Sequence, residues 1–431
     1  MRYLSTRGET RPESLGPALV AGLAPDGGLF VPDALPLFRT DAFTGRASLP
    51  TLAAAMFEPF FRGDPLAPEL ASIAAESLDI PAPLRAIAPR SWLLELFHGP
   101  TAAFKDFGAR FLAACLARLR APETAPMTIL VATSGDTGAA VAAAFHQRPG
   151  FRVVILYPDR RVSPRQAHQL GAFGDNVVAY CVAGSFDDCQ ALARRALADE
   201  GLRERIAITT ANSISLGRLL PQIAFRAHAA LTHWLAHGRR LNFVVPTGNL
   251  GNALACVLAR ATGLPVGDIV LATNENQVLP DFFATGEYAP RQSIATLASA
   301  MDVGAPGNFE RLRWLYADDA TLRKALTAQS VDDDEISEEI RASRAKYGTV
   351  ICPHTATATR VLSRLREHGE TRDFVAVATA HPAKFEAIVE PLAGPVEIPP
   401  ALAALLDRPT RSEPLAVDYG ALRERLLGRG A

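Results

Sequence analysis

Short runs dominated by Val, Ile, Leu and Ala recur through the middle of this chain, and each gives way to a helix-like stretch. The runs fall at 128–132, 153–157, 177–182, 206–210 and 241–245, with helical patterning at 139–146, 164–173, 186–203 and 215–237. A run that is apolar at most consecutive positions, rather than at every second one, needs cover on both faces, and strands separated by helices pair in parallel. The pattern predicts an α/β protein whose parallel sheets carry helices on both faces. Runs at 269–272 and 374–379 add further strands. At 431 residues the chain exceeds what one core holds, so two or three domains are expected. The first 90 or so residues read differently, rich in Pro and Gly, with a turn at Ala24-Pro25-Asp26-Gly27-Gly28. Three prolines between 80 and 89 suggest a boundary there.

Composition removes several classes of function. The net charge of −1 provides no basic field for nucleic acid or an anionic membrane. No uncharged apolar stretch approaches the roughly 20 residues of a membrane helix, and the first residues lack a signal-peptide core. The five cysteines are scattered and never form a Cys-x-x-Cys pair, as expected of reduced thiols in a cytoplasmic protein. No metal site is expected. His233 and His237 are four apart but lack the glutamate of a zinc-protease helix, and read as a helix surface pair. Cys352-Pro353-His354 has no second ligand pair nearby and reads as a buried thiol and a loop histidine. The acidic run Asp332-Asp333-Asp334-Glu335 suits a helix start, where negative charge meets the positive end of the dipole.

Two strand-to-helix turns and one lysine carry the chemistry. In the second turn, Pro246-Thr247-Gly248-Asn249-Leu250-Gly251-Asn252, the glycines let the backbone bend close to a ligand, and the helix start offers unsatisfied N–H groups to an anion. It is neither a Walker loop nor a Gly-x-Gly-x-x-Gly dinucleotide turn, and on its own it is either a phosphate cradle or tight packing. The first turn, Ser134-Gly135-Asp136-Thr137-Gly138, either holds a carboxylate or merely caps its helix. Lys105 lies between Phe104 and Asp106-Phe107, where partial burial would favour a neutral amine. One amine with two anion cradles suits an aldehyde cofactor bearing a phosphate. Pyridoxal 5′-phosphate answers that description, with Lys105 as its Schiff-base lysine.

Further strings tie these features to a family. Tyr3-Leu4-Ser5-Thr6-Arg7-Gly8, Leu23-Ala24-Pro25-Asp26-Gly27-Gly28-Leu29-Phe30-Val31-Pro32 and His98-Gly99-Pro100-Thr101 precede Phe104-Lys105-Asp106. Asn212-Ser213-Ile214 with Arg218, and Thr379-Ala380-His381-Pro382-Ala383-Lys384-Phe385, follow the first turn. Together with the two turns they resemble threonine synthase, a fold-type-II pyridoxal-phosphate enzyme, in its long form with an N-terminal extension. The resemblance implies conversion of O-phospho-L-homoserine and water to L-threonine and phosphate, a carbon–oxygen lyase reaction. It implies cofactor contacts at Lys105, Gly248, Asn249, Leu250, Asn252, Thr379 and Asp136. It implies substrate contacts at Ser134, Thr137, Asn212, Ser213 and Arg218, the last suited to a phosphate by charge and fork geometry. Leu250 stands where the family commonly has an aromatic residue, and Ser215 where an asparagine is expected. His98 and His381 read as structural.

The implied organisation has an N-terminal extension over 1–90, a larger cofactor-binding domain over 91–125 and 211–431, and a smaller mobile α/β domain over 126–210. A monomer is favoured, with a homodimer as the alternative. A related lyase releasing 2-oxobutyrate, or a non-catalytic protein that keeps the cofactor as structure, would use the same parts. The Ser5-Thr6-Arg7-Gly8 string and the lack of a C-terminal regulatory extension argue against a dehydratase.

Overall fold

The computed structural model describes residues 1–43, 45, 48–121, 124–159 and 162–428. Among the described residues the strands are, in chain order, β1 (Tyr3–Ser5), β2 (Phe30–Pro32), β3 (Leu84–Ala88), β4 (Ser91–Glu95), β5 (Met127–Ala132), β6 (Phe151–Pro158) and β7 (Val177–Val182). They continue as β8 (Ile208–Thr210), β9 (Leu241–Pro246), β10 (Val266–Thr273), β11 (Thr327–Ser330), β12 (Phe374–Ala378) and β13 (Glu413–Leu415). Two sheets carry the architecture. The larger has six strands in the order β11-β10-β9-β12-β4-β3, and the smaller has five in the order β13-β7-β6-β5-β8.

The continuous apolar runs become the central strands for the reason they suggested. Every residue of β9 and of β12 is buried, as are five of the six in β5. Helices cover both faces, and Leu216–His237 is buried along most of its 22 residues. That helix stops where Gly238 adopts a left-handed conformation with φ 65°. Ser163 with Gln166, and Ser185 with Asp188, form capping boxes that start the helices Pro164–Gly171 and Phe186–Ala198. Asp332 and Glu335 do the same for Asp333–Tyr347, so the acidic run is indeed a helix start.

The edges of the sheets depart from the sequence expectation. The proline-rich segment at 80–89 contains β3, which pairs antiparallel with β4, so the larger sheet is mixed at one edge. Antiparallel pairing needs only a tight turn, and the prolines at 81, 83 and 89 lie outside the strand itself. β13, in the stretch assigned by sequence to the larger domain, pairs with β7 of the smaller sheet. The expected helix at 186–203 is two helices, Phe186–Ala198 and Glu200–Arg203, with Asp199 capping the second. His233 is not a surface residue: it is 1% exposed and its ring packs on Trp92 and against Asp373.

β1 and β2 form an antiparallel pair that docks the N-terminal region on the larger unit. The Tyr3 hydroxyl donates to Phe60 O at 2.8 Å, and the buried Arg311 guanidinium donates to Phe30 O at 2.9 and 3.1 Å. No helix among the described residues is long and apolar enough to cross a membrane.

Candidate active site

Two adjoining pockets open at the carboxyl ends of the parallel strands, where open α/β sheets place ligands. The inner pocket is walled by Lys105, Arg218, Asp136, Thr379 and the turn Gly248–Asn252. The outer pocket is walled by Ser134 and Thr137 of the first turn, Asn212, Ser213, Asn249 and, again, Lys105. All twelve residues singled out in the sequence therefore line one pocket or both, although they come from both sheets.

Lys105 begins the helix Lys105–Leu119, and a clamp fixes the loop before it. The buried Asp106 carboxylate accepts from the Thr101 backbone N–H at 2.9 Å and from its hydroxyl at 2.7 Å. Phe104 N donates to Thr379 O at 2.8 Å, and His381 N donates to Ala102 O at 3.0 Å. Lys105 is thereby held against Thr379, which follows β12. Its side chain is half-buried, and what it exposes faces the two pockets. Burial pulls the amine down to about 8; nearby Arg218 and Lys384 act in the same direction, and Asp136 opposes them. A far larger neutral fraction near neutral pH than an ordinary lysine has follows, and the neutral amine is the nucleophile and base.

The second turn is built to approach a ligand closely. A Cβ on Gly248 would sit 2.7 Å from Met301 Cα, so no side chain fits there. Leu250 is left-handed, with φ 62°, and the helix Gly251–Ala261 begins directly after it. A leucine costs more than a glycine in that conformation, and its 1% exposure shows that packing holds it there. Asn249 Nδ2 donates to Ser213 Oγ at 2.7 Å, and Asn308 Nδ2 donates to Asn249 O at 2.9 Å. Beneath the turn, the buried Arg226 guanidinium donates to Asn252 Oδ1, and Asn252 Nδ2 donates to Pro246 O at 3.1 Å.

In the first turn, Thr133 Oγ1 accepts from Gly135 N at 3.0 Å and Gly138 N at 2.9 Å. Gly135 has φ 130°, and a Cβ there would meet Gln166 Nε2 at 2.6 Å. Asp136 does not cap its helix, whose N-cap is Gly135 with no side-chain cap hydrogen bond. Its Oδ1 lies 2.8 Å from Lys384 Nζ and accepts from Gln166 Nε2 at 3.0 Å. Burial works to raise this carboxyl, but the Lys384 ammonium and Gln166 hold it below the usual carboxylate range.

Several site residues escaped the sequence reading. Lys384, fully buried, also donates to Thr101 O at 2.6 Å and so ties the smaller unit's turn to the Lys105 loop. It stood inside a quoted family string, but nothing local marked it as a partner of Asp136. His354 lines the inner pocket as part of the helix Pro353–Glu367, not as a loop histidine. Its Nε2 accepts from Ala300 N at 3.0 Å, so the neutral ring carries its proton on Nδ1. Burial pushes His354 down to about 4, with the Lys105 and Lys384 cations adding to the effect and Asp136 opposing it. His381, by contrast, caps a short 3₁₀ turn by accepting from Ala383 N at 3.2 Å, and His98 pairs with Glu95 at 3.0 Å.

These walls fit pyridoxal phosphate. The lysine gives up its proton more readily than an ordinary lysine, and the Gly248 turn leaves space that any side chain would fill. Arg218 Nε and His354 Nδ1 are buried donors with no hydrogen-bond partner among the described residues. Buried donors without protein partners at a pocket are where ligand acceptors are expected. Among the described residues no cluster of three or more His, Cys, Asp or Glu is placed to hold a metal.

Comparison with known proteins agrees with this geometry. The family of pyridoxal-phosphate-dependent enzymes matches residues 78–380, more than half of the chain, and defines its class. The threonine synthase N-terminal and C-terminal families match residues 2–78 and 355–425. Threonine synthases of Serratia marcescens and Escherichia coli K12 are 36% and 37% identical to it, each over 99% of both chains. The chain belongs to the threonine synthase family. The crystal structure of the Escherichia coli threonine synthase superposes with a TM-score of 0.93 at 36% identity, covering 99% of this chain and 100% of that one. The pyridoxal-phosphate-bound threonine synthase of Brucella melitensis gives 0.91 at 32% identity, covering 99% of each.

Proposed function

We propose that this protein converts O-phospho-L-homoserine and water into L-threonine and inorganic phosphate, as a carbon–oxygen lyase acting on a phosphate ester. The observation that carries the reading is the position of Lys105, a half-buried side chain whose amine has a lowered pKa and lines both pockets. Gly248, Asn249, Leu250 and Asn252 would hold the cofactor phosphate at the helix N-terminus. Thr379 would serve the ring nitrogen, and Asp136 the ring hydroxyl. Bound pyridoxal phosphate supplies an electron sink for negative charge at the substrate Cα.

The chain supplies everything else. Ser134 and Thr137 bind the substrate carboxylate through hydroxyls and the backbone of the first turn. The Lys105 amine takes the Cα proton and serves the later transfers at Cβ and Cγ, since one base adjacent to all three carbons suffices. Phosphate leaves from Cγ and water adds at Cβ. The Asp136–Lys384 pair keeps a carboxylate ionised beside the reacting centre without leaving it unpaired. The smaller unit, residues 126–210 with the β13 edge, closes on the larger one and shields the reacting carbons from bulk solvent, leaving room for the one water that the reaction consumes. The active unit is a monomer in this reading, because residues of one chain wall both pockets. Replacing Lys105 with Ala tests the assignment: turnover is lost while the far-ultraviolet circular dichroism is kept, and an active variant overturns it.

A further inference from the structure

We infer that Arg194 is the cation that grips the substrate's phosphate from the smaller sheet's side of the cleft; this deepens the reaction proposed above and rests on it. The helix Phe186–Ala198 buries Cys189, Leu192, Ala193 and Ala196 against its sheet. On its other face Asp187, Gln190 and Arg194 follow at three- and four-residue spacing, which places them in one stripe. That stripe lines the outer pocket together with Lys105, Asn212 and Ser213. Arg194 forms no hydrogen bond or ion pair among the described residues, whereas the neighbouring Arg195 stacks on the Tyr419 ring at 4.4 Å. An uncommitted guanidinium lining a ligand pocket is thus available to a ligand.

The charge balance of the outer pocket calls for it. Besides Lys105, Arg194 is the only cation among the described residues that line this pocket. Two carboxylates line it as well, Asp187 and Asp302. Asp302 accepts from the Thr296 hydroxyl at 2.7 Å and from Asn274 at 2.8 Å, which commits it to the wall. A phosphate dianion entering a pocket walled by Asp187, and by an Asp302 that burial raises to about 7, calls for a cation besides Lys105. Ser134, Thr137, Asn212 and Ser213 offer only neutral donors. Arg218, the candidate read from the sequence, lines the inner pocket, where its Nη1 is committed to Ala211 O at 2.6 Å and its unpartnered Nε serves a ligand acceptor in that pocket. A guanidinium fork matches a phosphate edge with two parallel hydrogen bonds. With Lys105 on the larger unit and Arg194 on the smaller, a bound substrate spans the cleft and draws its walls together.

Arg194→Gln and Arg194→Lys in the holoenzyme test this. Three quantities are read: KM for O-phospho-L-homoserine, the inhibition constant of inorganic phosphate, and the dissociation constant of L-threonine from the cofactor absorbance. Arg194→Gln should raise the first two roughly 10- to 100-fold, the worth of a charge-assisted hydrogen bond. It should leave threonine binding as in the wild type, because threonine carries no phosphate, and Arg194→Lys should recover most of the loss. An unchanged KM and phosphate inhibition overturns the inference, as does an equal loss in threonine binding, which would mark a structural role. A wild-type enzyme that releases no phosphate from this substrate overturns the proposed reaction and the inference together.

Discussion

Lys384→Met is the perturbation whose cost can be worked out most directly from the site. Lys384 is fully buried and Asp136 nearly so, and their charged atoms lie 2.8 Å apart. Removing one partner of a buried pair leaves an uncompensated charge and costs about 3–5 kcal/mol. The Thr101 carbonyl also loses its 2.6 Å donor, which adds about 1 kcal/mol. Unfolding entropy of about 2.1 cal/mol/K per residue gives about 0.9 kcal/mol/K for 431 residues unfolding together. The variant should therefore melt about 4–7 °C below wild type by circular dichroism. Pairing it with Asp136→Asn removes the stranded charge, so the double variant should recover about half of the loss or more. Loss of Lys384 also removes one of the cations that depress Lys105, so the Lys105 amine should titrate at higher pH. A double variant that melts no higher than Lys384→Met alone would refute this account of the pair.

Two further outcomes follow from the geometry. Lys105 in the apoenzyme, lowered to about 8 from 10.5, should react with an amine-directed label at a rate that rises with pH and levels off above about 8. Peptide mass spectrometry would follow it; a midpoint near that of surface lysines, ~10.4, would count against its burial. Gly248→Ala should weaken cofactor binding at least ~10-fold by titration, since a Cβ 2.7 Å from Met301 Cα forces the turn to move and one lost anion contact is worth about that much. Wild-type affinity would show that the turn does not hold the cofactor.

What the sequence disclosed follows from how local each signal is. β5, β6, β7, β9, β10 and β12 were legible because strands buried on both faces must be mostly apolar, and each has a run of apolar residues at its centre. β11 is Thr-Ala-Gln-Ser and β13 is Glu-Pro-Leu, short edge strands whose composition carries no such demand. In the site, Lys105 and both turns were visible because each is a contiguous string with its own backbone chemistry. Lys384, Gln166 and His354 were not, because each acts through a partner far away in sequence. Asp136 meets Lys384 across 248 positions only because the loop after β12 is sewn to the loop before Lys105. The surface reading of His233 failed for the same reason: its partners, Trp92 and Asp373, come from distant strands and loops.

The central claim is tested most directly by giving the purified holoenzyme O-phospho-L-homoserine and quantifying phosphate, L-threonine and 2-oxobutyrate in the same samples, with Lys105→Ala as the control. The account predicts phosphate and threonine in equal amounts and neither from the control. Phosphate accompanied by 2-oxobutyrate, or no phosphate at all, would contradict it.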